Sequence, residues 1–396
     1  MIHFRSTRLL MAGVTLALCA SPALALDGPD LVKKLIAASN LKPGNMQMGN
    51  VEVSGTTVTL KDVSLGDDKG GKRTAIGDIV LEGVTEEGNG GYTIDKARFA
   101  DVNVTEGKTT ITAQDLYLSG VVVPADPNAA TLDSMLFYDE AHSGPVNVSV
   151  DGKQVAAIRE TSFTMEREDD NSGISFTGNV DGVFADLATI DDPKTKQAID
   201  SLGLAKINGT MTMEGSWEAG PGTLDVTEYA IDLADVGRLD LAFSISGYTL
   251  AFVKSVQETT AAMEANPNKE AAQQAAGLAA LGLMQQISFN SAEISFEDEG
   301  ITKRALDYSG QTQGVSGDQM ALMIKGMAPL LLAQLNLPSL QNSLAEAINS
   351  FLDNPKNFTI TAAPEQPVPL PMIIGAAQAA PNTLPEMLGV SVSAND

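Results

Sequence analysis

From Met46 to about Ile245 apolar and polar residues alternate in short runs broken by Gly, Asn and Asp, a period of two that predicts half-buried strands. Val51/Val53 and Val58/Leu60 alternate around Ser54-Gly55, which predicts a hairpin. Val63/Leu65 stands out of phase with Leu60, so a bulge is expected near Lys61-Asp62. The texture returns at residues 146–150, 162–166, 174–180 and 211–217, and is cleanest in Leu239-Asp240-Leu241-Ala242-Phe243-Ser244-Ile245. The pattern predicts a mainly β (α+β) protein, with a long curved antiparallel sheet of short amphipathic strands. Several helices are expected to pack on it, mostly in the C-terminal third.

Helical spacing brackets that region. Leu31, Val32, Leu35 and Ile36 share one face of a short helix that has Pro29 near its first turn and ends at Lys42-Pro43-Gly44. Asn266-Pro267 reads as the start of an Ala-rich helix reaching Met284, and residues 287–296 read as strand. A further helix is expected over residues 316–335, kinked at Pro329. Another follows Pro338 with Leu340, Leu344, Ile348 and Phe351 on one stripe, and stops at Asn354-Pro355. Phe358-Thr359-Ile360 reads as strand, and the proline-rich tail from Pro364 to Pro371 as extended chain. The expected division is 26–44 N-terminal helix, 45–254 β-rich region, 255–313 Ala-rich helix with a returning strand, and 314–396 helical region with extended tail.

A loose repeat runs through the strands. Leu60-Lys61-Asp62-Val63-Ser64-Leu65 matches Phe99-Ala100-Asp101-Val102-Asn103-Val104. Asp78-Ile79-Val80-Leu81-Glu82-Gly83-Val84 matches Asp115-Leu116-Tyr117-Leu118-Ser119-Gly120-Val121. With residues 237–247, these stretches resemble the AsmA-like and related repetitive-β proteins of the periplasm. The resemblance implies a curved sheet or groove able to carry lipid. Those proteins keep a membrane anchor, whereas this shorter chain opens on a cleavable-type signal, so the resemblance carries over no bridging between membranes and no functional residue.

That signal is the segment 1–25. Arg5 and Arg8 precede an apolar run from Leu9 to Ala20, and Ser21-Pro22 leads into Ala23-Leu24-Ala25, a small-x-small cleavage site. The run is too short to span a bilayer, which takes about 20 residues. The expected mature protein starts at Leu26, has no transmembrane helix and resides in a Gram-negative periplasm. The chain's single cysteine, Cys19, and one of its two histidines, His3, lie in the segment removed.

Composition then narrows the chemistry. A net charge of −25 with no basic cluster excludes nucleic acid as a partner. Gly66-x4-Gly71-Lys72 matches most of a P-loop, but Arg73 stands where Ser or Thr is needed and strand texture follows instead of a helix. His142, in Asp139-Glu140-Ala141-His142-Ser143-Gly144-Pro145, reads as a solvated loop histidine and is the one candidate general base. One histidine and no cysteine do not make a zinc site. The carboxylate clusters 166–170, Asp181/Asp186, Asp191-Asp192 and 297–299 lack the spacing of a calcium loop and read as exposed turns, with a glycosidase pair as the alternative. Met320, Met323, Met327 and Leu331 share a helical face, a candidate apolar ligand surface set against the plainer reading of core.

The expectation is a non-enzymatic envelope protein without cofactor or metal, holding a lipid or other apolar ligand between sheet and helices. The alternatives are a structural module docking another envelope protein, and a hydrolase using His142 or a carboxylate pair.

Overall fold

The computed structural model describes residues 26–39, 41, 44–66, 73–129, 131–335 and 337–396. The signal-like segment 1–25 and most of the P-loop-like run lie outside them, as does the Lys42-Pro43 stop.

Asp27 caps the first helix, accepting a hydrogen bond from Asp30 N at 3.0 Å, with Pro29 in the first turn where its missing N–H costs nothing. This is α1 (Gly28–Ala38). Short strands β1 (Met46–Gln47) and β2 (Val51–Ser54) lead through a Gly55-Thr56 turn into β3 (Thr57–Leu65). Then come β4 (Thr74–Glu82), β5 (Thr85–Glu86), β6 (Tyr92–Phe99), β7 (Val102–Glu106), β8 (Thr109–Ala113) and β9 (Tyr117–Val123). They are followed by β10 (Glu140–Ser143), β11 (Val146–Val150), β12 (Lys153–Ile158), β13 (Glu160–Arg167) and β14 (Gly173–Asp186). After α2 (Pro193–Leu202) lie β15 (Lys206–Glu218), β16 (Thr223–Leu233) and β17 (Gly237–Ser246). Helices α3 (Leu250–Ala265) and α4 (Lys269–Met284) precede β18 (Ser288–Asp298). The C-terminal part holds α5 (Ile301–Gln313), α6 (Gly317–Leu335), α7 (Gln341–Asp353), β19 (Asn357–Ala362), β20 (Val368–Pro369), α8 (Leu370–Ala379), α9 (Leu384–Met387) and β21 (Val390–Ala394).

The 21 strands of the described residues join one antiparallel sheet. From the β1/β2 edge the order is β3, β4, β6, β9, β10, β13, β14, β15, β16, β17, β18, β19 and β21. A second tier, β7, β8, β11 and β12, runs beside the first and rejoins it at the far end of β14. The two tiers are halves of the same long strands, each broken at one level.

Those breaks obey a rule that the sequence contains. Apolar residues flank several of these breaks at an interval of three: Leu60/Val63, Phe99/Val102, Ala113/Leu116, Ile158/Thr161 (where Thr stands in for an apolar residue) and Val180/Val183. In an unbroken strand an odd interval turns the second residue to the opposite face. Register shifts fall at Leu60/Val63 and at Val180/Val183, and Asp62 and Asp115 take the left-handed conformation with φ of 51° each. The bulge expected at Lys61-Asp62 is thus present, and the same device restores the phase in successive strands.

One face is therefore apolar across the sheet. Val53, Val58, Leu81, Ala97, Leu118, Ala141, Phe163, Gly178, Met213 and Tyr229 are successive cross-strand partners from β2 to β16. The adjoining row on the other face contains Arg98, Tyr117, His142, Ser162, Asn179 and Thr212. Farther along, Leu241, Ile294, Ile360 and Val392 continue the apolar side to the β21 edge. The best-buried cluster lies under α1, where Leu31, Val58, Val63, Tyr92, Ile94 and Val123 are almost wholly excluded from solvent.

The helical layout differs from expectation at several points. Asn266 does not start the Ala-rich helix; it terminates α3, and Asn268 caps α4 by accepting from Ala271 N at 3.1 Å. Pro267 separates the two helices and favours extended backbone at Asn266, whose ψ is 121°. Residues 250–254, placed in the β region, open α3. Residues 364–371 are not simply an extended tail: Pro371 sits in the first turn of α8, where proline is tolerated, and β21 follows. Pro329 lies inside α6 as expected.

Candidate apolar ligand site

The site begins with how α1 is pinned. Gly28 lies against β2 so closely that a β-carbon there would stand 2.8 Å from Val53 Cγ2. At the next turn Asp30 accepts a hydrogen bond from the Tyr92 hydroxyl at 2.9 Å and pairs with Lys34 at 2.5 Å. Lys34 Nζ also donates to Gly90 O at 2.7 Å. Hydrogen bonds from Lys34 and Tyr92 hold the Asp30 carboxyl below the ordinary aspartate range. Burial, reinforced by Asp30, pushes the Tyr92 phenol above its usual value. Leu31 is driven into the core, whereas Val32, Leu35 and Ile36 border open space.

That space is a cavity of about 580 Å³ between the second half of α1 and strands β3, β4, β6 and β9. Its walls include Ile36, Leu60, Ile79, Ala97, Phe99 and Leu118, and among the described residues no Asp, Glu, Lys or Arg lines it. Ser39 and Thr74 supply hydroxyl groups, and Tyr117 and His142 also line it. Val102 and Val104 extend the wall into the second tier, where Val104, Ile111 and Val150 stand exposed. The volume falls in the range of small-molecule pockets, and the lining is mostly apolar.

The apolar candidates named from the sequence lie on α6, which does not line this cavity. Within α6, Met320 is 4 % exposed, whereas Met323 and Met327 are 43 % and 50 % exposed. The three do not form one buried stripe: Met320 joins the packing and the other two face solvent, beside Leu322 and Leu330. The side chain of Leu331 lies outside the described residues.

His142 is not a loop residue. It lies in β10, its side chain 12 % exposed, with its ring stacked on Tyr117 at 4.6 Å between centroids. Asp115 Oδ2 is 3.6 Å from Nε2 and Glu160 Oε1 is 3.9 Å from Nδ1. Among the described residues no serine or threonine hydroxyl hydrogen-bonds to its ring nitrogens.

Several clustered carboxylates have structural duties rather than lying idle in turns. Asp192 caps α2 through Thr195, which lowers its pKa. Asp298 accepts from the backbone of Gly300 and Thr302 at the start of α5. Asp186, itself buried, binds Lys153 at 3.0 Å and is held below its ordinary pKa mainly by that bond. Among the described residues no group of three His, Cys, Asp or Glu is placed to hold a metal ion, and no helix is long and apolar enough to cross a membrane.

Comparison with known proteins adds one match. A family model described as "Uncharacterized protein" covers residues 230–395, from the end of β16 to β21. The match spans less than half of the chain and does not reach the cavity under α1. No curated protein matches the chain.

Proposed function

We propose that this protein is an exported, non-enzymatic component of the cell envelope that holds a lipid or other apolar ligand against the apolar face of its sheet. The observation that carries the reading is the cavity under α1, walled by hydrocarbon and continuous with an apolar row crossing ten strands. An apolar surface of that extent, left incompletely covered, is costly in water unless something occupies it. The resemblance of the repeated strands to AsmA-like proteins and the signal-like segment at residues 1–25 support the same reading. Mass spectrometry of organic extracts from the purified mature protein is expected to reveal a co-purifying lipid. A clean extract together with no uptake of added fatty acid would overturn the proposal.

A second reading has an observation of its own. Leu322, Met323, Met327 and Leu330 give α6 an exposed apolar surface, which suits docking to another envelope protein. Periplasmic crosslinking that yields one stoichiometric partner, lost in a Met327→Glu/Leu330→Glu variant of normal stability, would favour it.

A further inference from the structure

We propose that the free edge of β21 is a self-association surface, at which two copies of this chain pair β21 against β21, antiparallel about a two-fold axis at Val392.

Among the described residues β21 pairs with β19 alone and closes one end of the sheet. Which of its backbone groups are free follows from the hydrogen bonds at its two ends. Ala363 N donates to Gly389 O at 3.4 Å, and Asn395 N donates to Asn357 O at 3.0 Å. The backbone of Gly389 and Asn395 therefore faces β19, and so, by alternation, does that of Ser391 and Ser393. The N–H and C=O groups of Val390, Val392 and Ala394 point the other way, off the sheet. Ser350 Oγ donates to Ala394 O at 3.5 Å, which leaves that oxygen a second lone pair.

This row matches its own reverse. About a two-fold at Val392, Val392 meets Val392 of the second copy and Val390 meets Ala394, and each pair can exchange both N–H···O bonds. The axis keeps each face of the sheet on its own side. The apolar row Leu241, Ile294, Ile360 and Val392 thus runs on into the same row of the second copy.

Strand edges that stay single are usually guarded by a charge, a proline, a bulge or a covering element. Strand β21, Val390-Ser391-Val392-Ser393-Ala394, has no charged side chain and no proline, and its register with β19 runs without a shift. The opposite edge is guarded: β2 carries Glu52, and Gly28 of α1 sits against Val51 and Val53. Charge selects the same place. A chain of net charge −25 meets its copy at least cost where neither carries charge, and antiparallel pairing sets the two Asp396 carboxylates at opposite ends.

Sedimentation of the purified chain over a rising concentration series should show the mass moving from monomer to twice that value and no further. Val392→Pro removes an outward N–H that β19 does not use, so it should hold the chain at monomer mass with its thermal unfolding temperature unchanged. Register is read by crosslinking in a Cys19→Ser background, which has no other thiol. Ser391 of one copy lies opposite Ser393 of the other, with Cα atoms about 4.5 Å apart, within disulfide reach. Mixed Ser391→Cys and Ser393→Cys chains should form a disulfide dimer under mild oxidation, and each variant alone should not. A monomer at every concentration overturns the proposal, as does a dimer that a folded Val392→Pro chain retains. Absence of the mixed disulfide overturns it whatever the proline variant does. Masses that grow beyond the dimer overturn the two-fold in favour of β21 pairing with the β2 edge.

Discussion

A β-carbon on Gly120 would collide with the carboxylate of Asp139, so a larger side chain at position 120 forces Asp139 to shift. Gly120 also holds φ at 60°, where non-glycine residues are strained. Gly83, its counterpart in the sequence repeat, has φ of 68° and the same relation to Asp95. Gly120→Ala and Gly83→Ala are each expected to lower stability by about 1–3 kcal/mol, measured by urea unfolding. Asp139→Ala added to Gly120→Ala should recover part of the loss, because it removes the clash and leaves the backbone strain. Full additivity of the two changes would show that the close approach is not the cause.

The Asp30 and Tyr92 pair predicts stability that falls off at both ends of the pH scale. Asp30 has a lowered pKa, so its contribution is present above the unfolded aspartate value of about 4 and fades as pH drops toward the folded value. Tyr92 has a raised pKa, so its contribution is present below the unfolded tyrosine value of about 10 and is lost as pH rises beyond it. Tyr92→Phe should cost about 1 kcal/mol at neutral pH and weaken the alkaline dependence. An unchanged alkaline limb in denaturation curves would remove Tyr92 from that role.

Filling the cavity separates occupancy from folding. Ile36→Trp places a larger apolar side chain where space already exists, so its stability should stay within about 1.5 kcal/mol of the parent. Lipid recovered from the purified variant should drop to background. Retention at parental level would place the bound lipid elsewhere on the sheet.

His142 is expected to matter for packing. His142→Ala forfeits the stack on Tyr117 and should cost about 1 kcal/mol. Ester and glycoside panels should give background rates for parent and variant alike; a rate present in the parent and lost in the variant would restore the hydrolase reading.

Much of the sheet could be read from parity alone. The turn at Gly55, the bulge at Asp62 and the strand at Leu239 to Ile245 all follow from which residues must share a face. The pairing Gly83/Gly120 emerged from a repeat whose physical content, a glycine facing an aspartate on the next strand, needs the partner strand to be seen. Helices α3 and α5 escaped notice because Thr, Ser and Gln interrupt any apolar stripe along them. The methionine run in α6 was visible as spacing, yet spacing does not tell which side packs. The cavity was the least accessible feature: Ile36, Leu60 and Leu118 are each ordinary core residues in sequence, and the space between them belongs to the angle at which α1 meets the sheet.

The bulges at a common level have a consequence for how such a chain can change size. Because each break resets the phase of its own strand, every hairpin arrives at the sheet with its oily side already oriented. A hairpin could be duplicated or lost as a unit without inverting its neighbours. The width of the surface is then a freely adjustable trait, and the span of ligand it serves can drift with copy number while the individual hairpins stay the same.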